Sequence, residues 1–247
     1  MPQQISEKEQ QLRDELAAAL RWAARLGMQE AVSNHFSVTT SSSGKQFLLS
    51  PNGRFWSRTC ASDLLLLDVD NPDVFSRPDL PDPTAWHLHS ALHQHVPQAR
   101  CVLHTHMPYA TTLCCLQDYE LQMLDQNACR FYNRIAYDRN FGGMAFKEES
   151  ERLVKLVGRN KSIVFMGNHG VVVLGPTVAA AFDDLYYLEM ACRTQVLALS
   201  TRQNLDLISD EVAEKTGVEW LEFPQIAENH LSEIMNTLDA EDPEYRH

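Results

Sequence analysis

The chain has 247 residues and carries 33 acidic and 21 basic side chains, giving a formal net charge of −12. A surface this acidic repels phosphate backbones and anionic lipid, which argues against nucleic acid or membrane as the main partner. The length predicts one large domain whose core needs no disulfide staples. No Cys-x-x-Cys pair, apolar signal segment or membrane-length apolar run occurs, so we expect a reduced, cytoplasmic protein.

Apolar periodicity, turn residues and helix caps predict a series of helices and strands in mixed order. The segment 117–142 gives no clear pattern. In chain order, the predicted elements are a helix from a Ser6–Glu9 capping box to Gly27, strands over 31–40 and 45–50, a buried strand over 63–70, a helix from the Asp82 N-cap and Pro83 to about Gln94, a strand over 99–106, a helix from Pro108 to about Leu116, a helix over 146–159, strands over 162–166 and 170–175, a long helix over 177–202 and two short C-terminal helices.

These elements predict a single α/β domain over residues 1–247. Its core covers about 10–202, and a helical extension covers about 203–247.

Two histidines in the apolar run CVLHTHM are candidates for metal ligands. In a strand, residues i and i+2 point to the same side, so His104 and His106 project together while Thr105 points away. Two nitrogen ligands on one rigid strand begin a zinc site. Such a pair alone more often marks two half-buried histidines that make ordinary hydrogen bonds.

A third candidate ligand, His169, lies in a Gly-Asn-His-Gly turn between two apolar strands. We expect Gly170 to permit an unusual backbone angle and a close approach there. Three protein ligands leave one coordination position open, as in catalytic metal sites. Because these motifs lack thiolates, a borderline divalent metal fits them better than a cysteine-rich structural site does. We expect Zn²⁺, with Mn²⁺, Co²⁺ and Fe²⁺ as alternatives.

The segment VLHTHMPYATTL, followed about sixty residues later by FMGNHGVVVLGPTVAAAF, resembles the class II aldolase/adducin family. The resemblance covers roughly residues 10–200 and includes SNHFSV, LLSPNG and the long helix after 177. It implies a three-layer α/β/α sandwich around a mainly antiparallel central sheet, in a cyclic homotetramer with active sites between subunits. It also implies that His104, His106 and His169 are the three metal histidines.

The chain departs from the sugar-phosphate aldolases of that family at a glutamate that serves as acid and base. Ala85 stands at that position, as we expect of the adducin-like branch. Alanine can neither ligate a metal nor carry a proton. Asp82, at the helix start, and His89, one turn after Ala85, are candidate replacements. The alternatives are that the helix histidines are half-exposed and have no role, or that His89 and His93 hold a separate metal.

Other positions match residues that contact substrate in the family, or have side chains suited to binding it. The candidates are Asn34, Asn52, Gly53 and Thr84 for substrate, Arg54 and Arg58 for a carboxylate, and Tyr132 (also a catalytic candidate) and Tyr245 for a neighbouring subunit's site. Asn and Gly are also common in turns for local reasons, and the arginines and tyrosines are also compatible with simple solvation or packing.

The resemblance implies a metal-dependent lyase acting on a small carbonyl compound, by aldol-type carbon–carbon cleavage or by decarboxylation of an oxo or hydroxy acid. Neither reaction needs the C–H base that Ala85 cannot provide. The alternative is an adducin-like, non-catalytic module that binds metal or protein. Because no long basic tail follows the domain, we do not expect binding to actin or the cytoskeleton.

Overall fold

The computed structural model describes residues 5–144 and 147–247. The predicted start of a helix at Phe146 and the first four residues lie outside the described residues.

Seven strands form one sheet in the order β3-β2-β1-β4-β7-β6-β5. Each neighbouring pair is antiparallel except β5 and β6, which are parallel. The strands are β1 His35–Thr39, β2 Gln46–Leu49, β3 Leu65–Asp68, β4 Cys101–Thr105, β5 Ile135–Asp138, β6 Ile163–Met166 and β7 Gly170–Gly175.

Helices connect the strands and extend beyond the last of them. Within the described ranges, no helix is both long and apolar enough to cross a bilayer. The helices are α1 Glu7–Arg25, α2 Pro83–His95, α3 Pro108–Cys114, α4 Gln126–Cys129, α5 Lys147–Val157, α6 Val178–Ser200, α7 Asp210–Leu221 and α8 Gln225–Glu241, and short 3-10 turns lie at Trp56–Arg58, Ala61–Asp63 and Pro243–Arg246.

The two faces of the sheet bury different sets of helices. On β4, Cys101 and Leu103 join a core with α1, α3, α6 and α8, whereas Val102 joins a core with α2 and α5. The same alternation runs along β7, where Val171 and Val172 lie in opposite cores. This period-2 pattern places helices on both sides of a largely antiparallel sheet, so the predicted α/β/α sandwich is confirmed.

Three predicted details differ in the structure. Strand β3 is an edge strand rather than a buried one, and Leu66 is 38% exposed. Only half of the predicted capping box forms: the Ser6 hydroxyl accepts from the Glu9 N–H, while the Glu9 carboxylate accepts from Arg13. The segment 117–142, which gave no clear pattern, contains α4 and β5.

The C-terminal helices pack on the sandwich and share its larger core. Leu231 and Leu238 of α8 are buried in that core with α1 and α6. Tyr245 is fully buried there, and its hydroxyl donates to Asp239. An ion pair between Arg21 and Asp242 ties the C-terminal end to α1.

Candidate metal centre and cavity

The three predicted metal histidines converge at the ends of neighbouring central strands. His104 is the fourth residue of β4, and His106 follows the end of that strand. His169 lies in the β6–β7 turn, and β7 pairs directly with β4, with Val172 opposite His104. One ring nitrogen from each histidine lies within 4.8 Å of the other two.

The β6–β7 turn differs from the prediction in the residue that takes the unusual backbone angle. Asn168 adopts the left-handed conformation, with φ 56°, and Gly170 does not. The predicted close approach at Gly170 is present, because an added Cβ would lie 2.7 Å from both the Thr105 carbonyl oxygen and His106 Cδ2. Asn tolerates the left-handed region better than most residues, which accounts for its place in this tight turn.

Two of the histidines are oriented through their Nδ1 atoms. His104 Nδ1 lies 3.0 Å from the Val171 carbonyl oxygen, and His106 Nδ1 lies 2.5 Å from Glu30 Oε2. Both partners are acceptors, so each Nδ1 carries the proton and donates. Burial lowers the pKa of His104 well below its ordinary value, so the His104 ring is neutral. Its Nε2 then carries a lone pair and no proton.

This arrangement fits a bound divalent cation. The Nε2 atoms of His104 and His106 face each other at 3.2 Å. The lone pair on His104 Nε2 faces the other ring, and a cation between the two nitrogens would be bound by both. Burial lowers the pKa of His169 to about 4, and its Nδ1 is buried without a hydrogen-bond partner within the described residues. Neutral imidazoles are the form that binds metal, and their outer nitrogens are usually held by such carbonyls and carboxylates.

A cavity of about 520 Å³ opens beside the histidines. Its walls come from the start of α2, the β1 and β2 ends and the loop around Phe141. Gly53 lies next to Asn52 in the adjoining turn, with φ 68°. The predicted candidates that line the cavity are Asn34, Asn52, Asp82, Thr84, His104, His106 and His169.

Ala85 also lines the cavity, and its methyl group is 1% exposed. Behind it lies a small apolar cluster that includes Phe47 and Leu49. Asp82 serves as the N-cap of α2, because its Oδ1 accepts from the N–H groups of Thr84 and Ala85. Burial opposes ionisation of Asp82, yet these hydrogen bonds and that of the Thr84 hydroxyl hold its pKa below the ordinary value.

A layer of buried polar side chains lies between β1 and α2, directly behind the cavity. His35 lines the cavity, and its Nδ1 lies 2.7 Å from His89 Nε2. Ser37 is hydrogen-bonded to His89 Nδ1 and lies 2.7 Å from His93 Nε2. His93 Nδ1 lies 2.6 Å from the Ala99 carbonyl oxygen. His35 and His104 have ring centroids 4.8 Å apart.

These contacts correct the expectation that His89 and His93 are half-exposed. The two side chains are 0% and 4% exposed and are hydrogen-bonded on both ring nitrogens. Those bonds occupy the atoms that a separate metal would need. The helix periodicity correctly places His89 one turn after Ala85. The His89 ring, however, lies in the core behind His35.

Four other candidates lie elsewhere. Arg54 pairs with Asp63 at 2.5 Å, and Arg58 is exposed in a 3-10 turn. Tyr132 follows α4 and is hydrogen-bonded to Asp210 of α7. Tyr245 is buried in the core of its own chain, so the expectation that it reaches a neighbouring site is wrong. A role for Tyr132 in another subunit stays a prediction.

Sequence reasoning missed His35 and Glu30. His35 and Ser37 alternate with Phe36 and Val38 along β1, and a polar pair on the inner face of a buried strand signals a polar partner across the layer. The His89 and His93 spacing is the matching signal on α2. Glu30 lies in a loop and gives no signal in the sequence, because its side chain is 64% exposed and contacts His106 only through the fold.

Comparisons with known proteins agree with this geometry. A family model described as Class II Aldolase and Adducin N-terminal domain matches residues 14–196. A Caulobacter vibrioides protein named after the class 2 aldolases is 30% identical over 85% of this chain and 81% of its own. Homo sapiens beta-adducin is 28% identical over 95% of this chain, which spans 34% of that protein. An aldolase II superfamily protein from Pseudomonas syringae has a TM-score of 0.86 at 29% identity, over 98% of each chain.

Proposed function

We propose, from the premise that this chain belongs to the class II aldolase and adducin family, that it is a divalent-metal lyase acting on a small carbonyl compound. The observation that carries the proposal is the convergence of His104, His106 and His169 beside a cavity of about 520 Å³. Three ligands leave a coordination position for a substrate, whereas structural zinc sites close all four.

The proposal gives the residues around the site different roles. His104, His106 and His169 would hold the cation, most favourably Zn²⁺, with Mn²⁺, Co²⁺ or Fe²⁺ as alternatives. Bound there, the cation supplies Lewis-acid stabilisation of negative charge developing on a carbonyl oxygen. Glu30 and the Val171 carbonyl fix the faces that His106 and His104 present.

The cavity wall at Ala85 favours reactions that need no base at a C–H bond. Retro-aldol cleavage removes a proton from a substrate hydroxyl, and decarboxylation releases carbon dioxide without removing a proton from carbon. Asn34, Asn52 and Thr84 line the same cavity and would bind the substrate's polar groups. Asp82, the ionised N-cap of α2, lies among them and is a candidate proton carrier. His35, which is hydrogen-bonded to His89, is a second candidate.

The first experiment is the metal content of protein purified without a chelator or an affinity tag. We expect about one equivalent in the wild type and a loss of metal in His104→Ala and His169→Ala, with the circular dichroism of all three proteins unchanged. The identified metal is then used to screen hydroxy acids, oxo acids and aldol donors. Wild-type protein that binds no Zn²⁺, Mn²⁺ or Co²⁺ on incubation contradicts the lyase proposal.

A second candidate is a non-catalytic module that binds metal or protein. It is favoured by the similarity to beta-adducin over 95% of this chain and by the uncharged Ala85 in the cavity wall. Metal-loaded protein without turnover in the screen would support it. In either case we expect a homo-oligomer, most favourably a tetramer, which sedimentation velocity at micromolar concentration would test.

A further inference from the structure

We propose that His35 is a specificity-determining residue of the cavity, whose Nε2 accepts a hydrogen bond from a hydroxyl group of the bound molecule. This inference rests on the proposed function, because it concerns the ligand of the same cavity. Its basis is a chain of buried hydrogen bonds that begins at the Ala99 carbonyl and ends at His35.

The direction of donation along this series of hydrogen bonds is set at its buried end, the Ala99 carbonyl. The Ala99 carbonyl oxygen accepts and has no proton to give, so His93 Nδ1, 2.6 Å away, must donate. Burial lowers the pKa of His93 to about 4, so the ring is neutral near pH 7 and its Nε2 carries no proton. Ser37 Oγ lies 2.7 Å from that Nε2 and therefore donates to it.

The middle of the chain follows from the single hydroxyl proton of Ser37. Since His93 takes that proton, the Ser37 oxygen accepts from His89 Nδ1. Burial holds the pKa of His89 well below its ordinary value, so His89 is neutral and its Nε2 is an acceptor. The donor to this Nε2 is His35 Nδ1, 2.7 Å away.

His35 is thus left with a bare lone pair on Nε2. The two nitrogens of an imidazole point in divergent directions, and His89 is fully buried behind the ring, so Nε2 points away from the core. His35 lines the cavity, and within residues 5–144 and 147–247 its Nε2 makes no hydrogen bond to another residue. The Ala99 carbonyl, four hydrogen bonds away, therefore fixes the tautomer of His35. In that tautomer His35 Nε2 faces the ligand as a hydrogen-bond acceptor.

An acceptor at this place selects the chemistry of the ligand. His35 lies 4.8 Å from the His104 ring, centroid to centroid, so a molecule bound beside His104 is within its reach. A lone pair is satisfied by O–H or N–H and repels a carbonyl or carboxylate oxygen. The preferred ligand class is therefore a carbonyl compound or acid that carries a hydroxyl group, over an oxo acid without one.

The tautomer is tested first, by long-range ¹H–¹⁵N correlation spectra of the metal-free protein at pH 7. We expect the His35 Nε2 signal at the shift of an unprotonated imidazole nitrogen and the Nδ1 signal at that of a protonated one. In Ser37→Ala the chain is interrupted, and the two His35 signals should move towards each other. Thr39→Val removes a hydroxyl from the same strand, but outside the chain, and should leave them unchanged. A proton on His35 Nε2 in the wild type would overturn the assignment.

Selectivity is tested by calorimetric titration with glycolate and its methyl ether, methoxyacetate, with and without Zn²⁺. Only glycolate donates a hydrogen bond from its C2 oxygen. We expect the wild type to prefer glycolate and His35→Phe to lose roughly three- to tenfold of that preference, the range of one neutral hydrogen bond. Comparing the two proteins removes the effect of the methyl group's size. Ser37→Ala should lose part of the preference, and serves if His35→Phe does not fold.

Failure of this inference is distinguishable from failure of the lyase proposal. The tautomer is read without metal, ligand or turnover. An equal preference in wild type and His35→Phe, or no binding of either acid, overturns the role of His35 while leaving metal content and turnover to decide the lyase. Absence of metal binding contradicts the lyase proposal, but leaves the tautomer result as it stands.

Discussion

At the scale of one residue, Glu30 is the hydrogen-bond partner of His106, one of the three proposed metal ligands. Its carboxylate accepts from His106 Nδ1 at 2.5 Å, although the side chain is 64% exposed. We predict that Glu30→Gln weakens zinc binding roughly 10- to 100-fold, because the amide orients the ring less strongly and does not raise the basicity of Nε2. Zinc affinity is measured by competition with a chromogenic chelator.

The matched control for Glu30→Gln is Glu222→Gln, an exposed glutamate near the end of α7. It makes the same change in net charge and should leave zinc affinity at the wild-type value. Equal affinities of the wild type and Glu30→Gln would show that the contact with His106 is incidental.

His93 links a single buried ring to the pH dependence of stability. Burial depresses its folded-state pKa to about 4 from an ordinary 6.5. Between pH 4 and pH 6.5, His93 therefore binds a proton in the unfolded chain but not in the folded one. The stability present above pH 6.5 is lost as the pH falls towards 4, up to roughly 3 kcal/mol. The neighbouring Arg100 acts in the same direction as burial, and the Ala99 carbonyl acts against it.

We predict that His93→Gln reduces the slope of unfolding free energy against pH by about 1.4 kcal/mol per pH unit near pH 5, the value for one proton. Urea unfolding at several pH values between 4 and 7 measures both slopes. Parallel curves for the two proteins would mean that His93 is protonated when folded, which would also remove the first link of the proposed chain behind His35.

At this scale, sequence reasoning found the three candidate metal histidines, from strand spacing, a turn and a family resemblance, and missed their partners and neighbours. His104 and His106 are two apart, near the end of β4 and just after it, so the strand spacing pairs them. His35 contacts His89 across a layer boundary, which only the tertiary packing of β1 against α2 creates. Arg54 is ambiguous in the sequence because its ion pair with Asp63 depends on the fold of the loop between β2 and β3.

The β6–β7 hairpin carries His169, the proposed third ligand. Gly170 begins β7 where the chain passes the end of β4, and an added Cβ would lie 2.7 Å from the Thr105 carbonyl oxygen and from His106 Cδ2. We predict that Gly170→Ala costs about 1–3 kcal/mol of stability through overpacking and weakens zinc binding by displacing the His106 ring. Thermal unfolding and zinc titration measure the two effects.

Gly142→Ala provides the comparison for that change. A Cβ at Gly142 meets no atom within 4 Å, and the residue lies outside the left-handed region, so stability and zinc affinity should stay at wild-type values. If Gly170→Ala behaves in the same way, the hairpin and β4 adjust to each other more readily than their backbone contact indicates.

Elements with strong periodicity were predictable, and those defined by their neighbours were not. The long helix α6 and the hairpin strands β6 and β7 lie within a residue or two of their predicted bounds. Strand β5 is only four residues long and is stabilised by parallel pairing with β6, a partner distant in the sequence. The run that forms β3 reads as buried, yet its position at the sheet edge exposes Leu66.

At the scale of the whole molecule, residues of the C-terminal segment pack into the larger core. Tyr245 is fully buried in the larger core, and its hydroxyl donates to Asp239. We predict that Tyr245→Ala lowers the free energy of unfolding by about 3–5 kcal/mol, the range for truncating a large buried aromatic side chain. Tyr245→Phe keeps the ring and should cost only about 1 kcal/mol, for the lost hydrogen bond. Urea denaturation compares the three proteins.

That prediction bears on the expected division into a core over 10–202 and an extension over 203–247. The family match ends at residue 196, although Leu231, Ile234 and Leu238 of α8 share the core of the preceding sandwich. A cost for Tyr245→Ala below about 1 kcal/mol would mean that the C-terminal segment folds onto the domain as a weakly coupled appendage.

The placement of the three candidate metal histidines has an evolutionary consequence. His104, His106 and His169 are carried by the centre of the sheet and its hairpin, whereas the facing wall with Asp82, Thr84 and Ala85 is the first turn of one helix. Substitutions in that turn change which groups line the cavity without disturbing the strands that carry the histidines. A lineage that keeps these three histidines can therefore change which groups face the cavity through changes in a few adjacent codons.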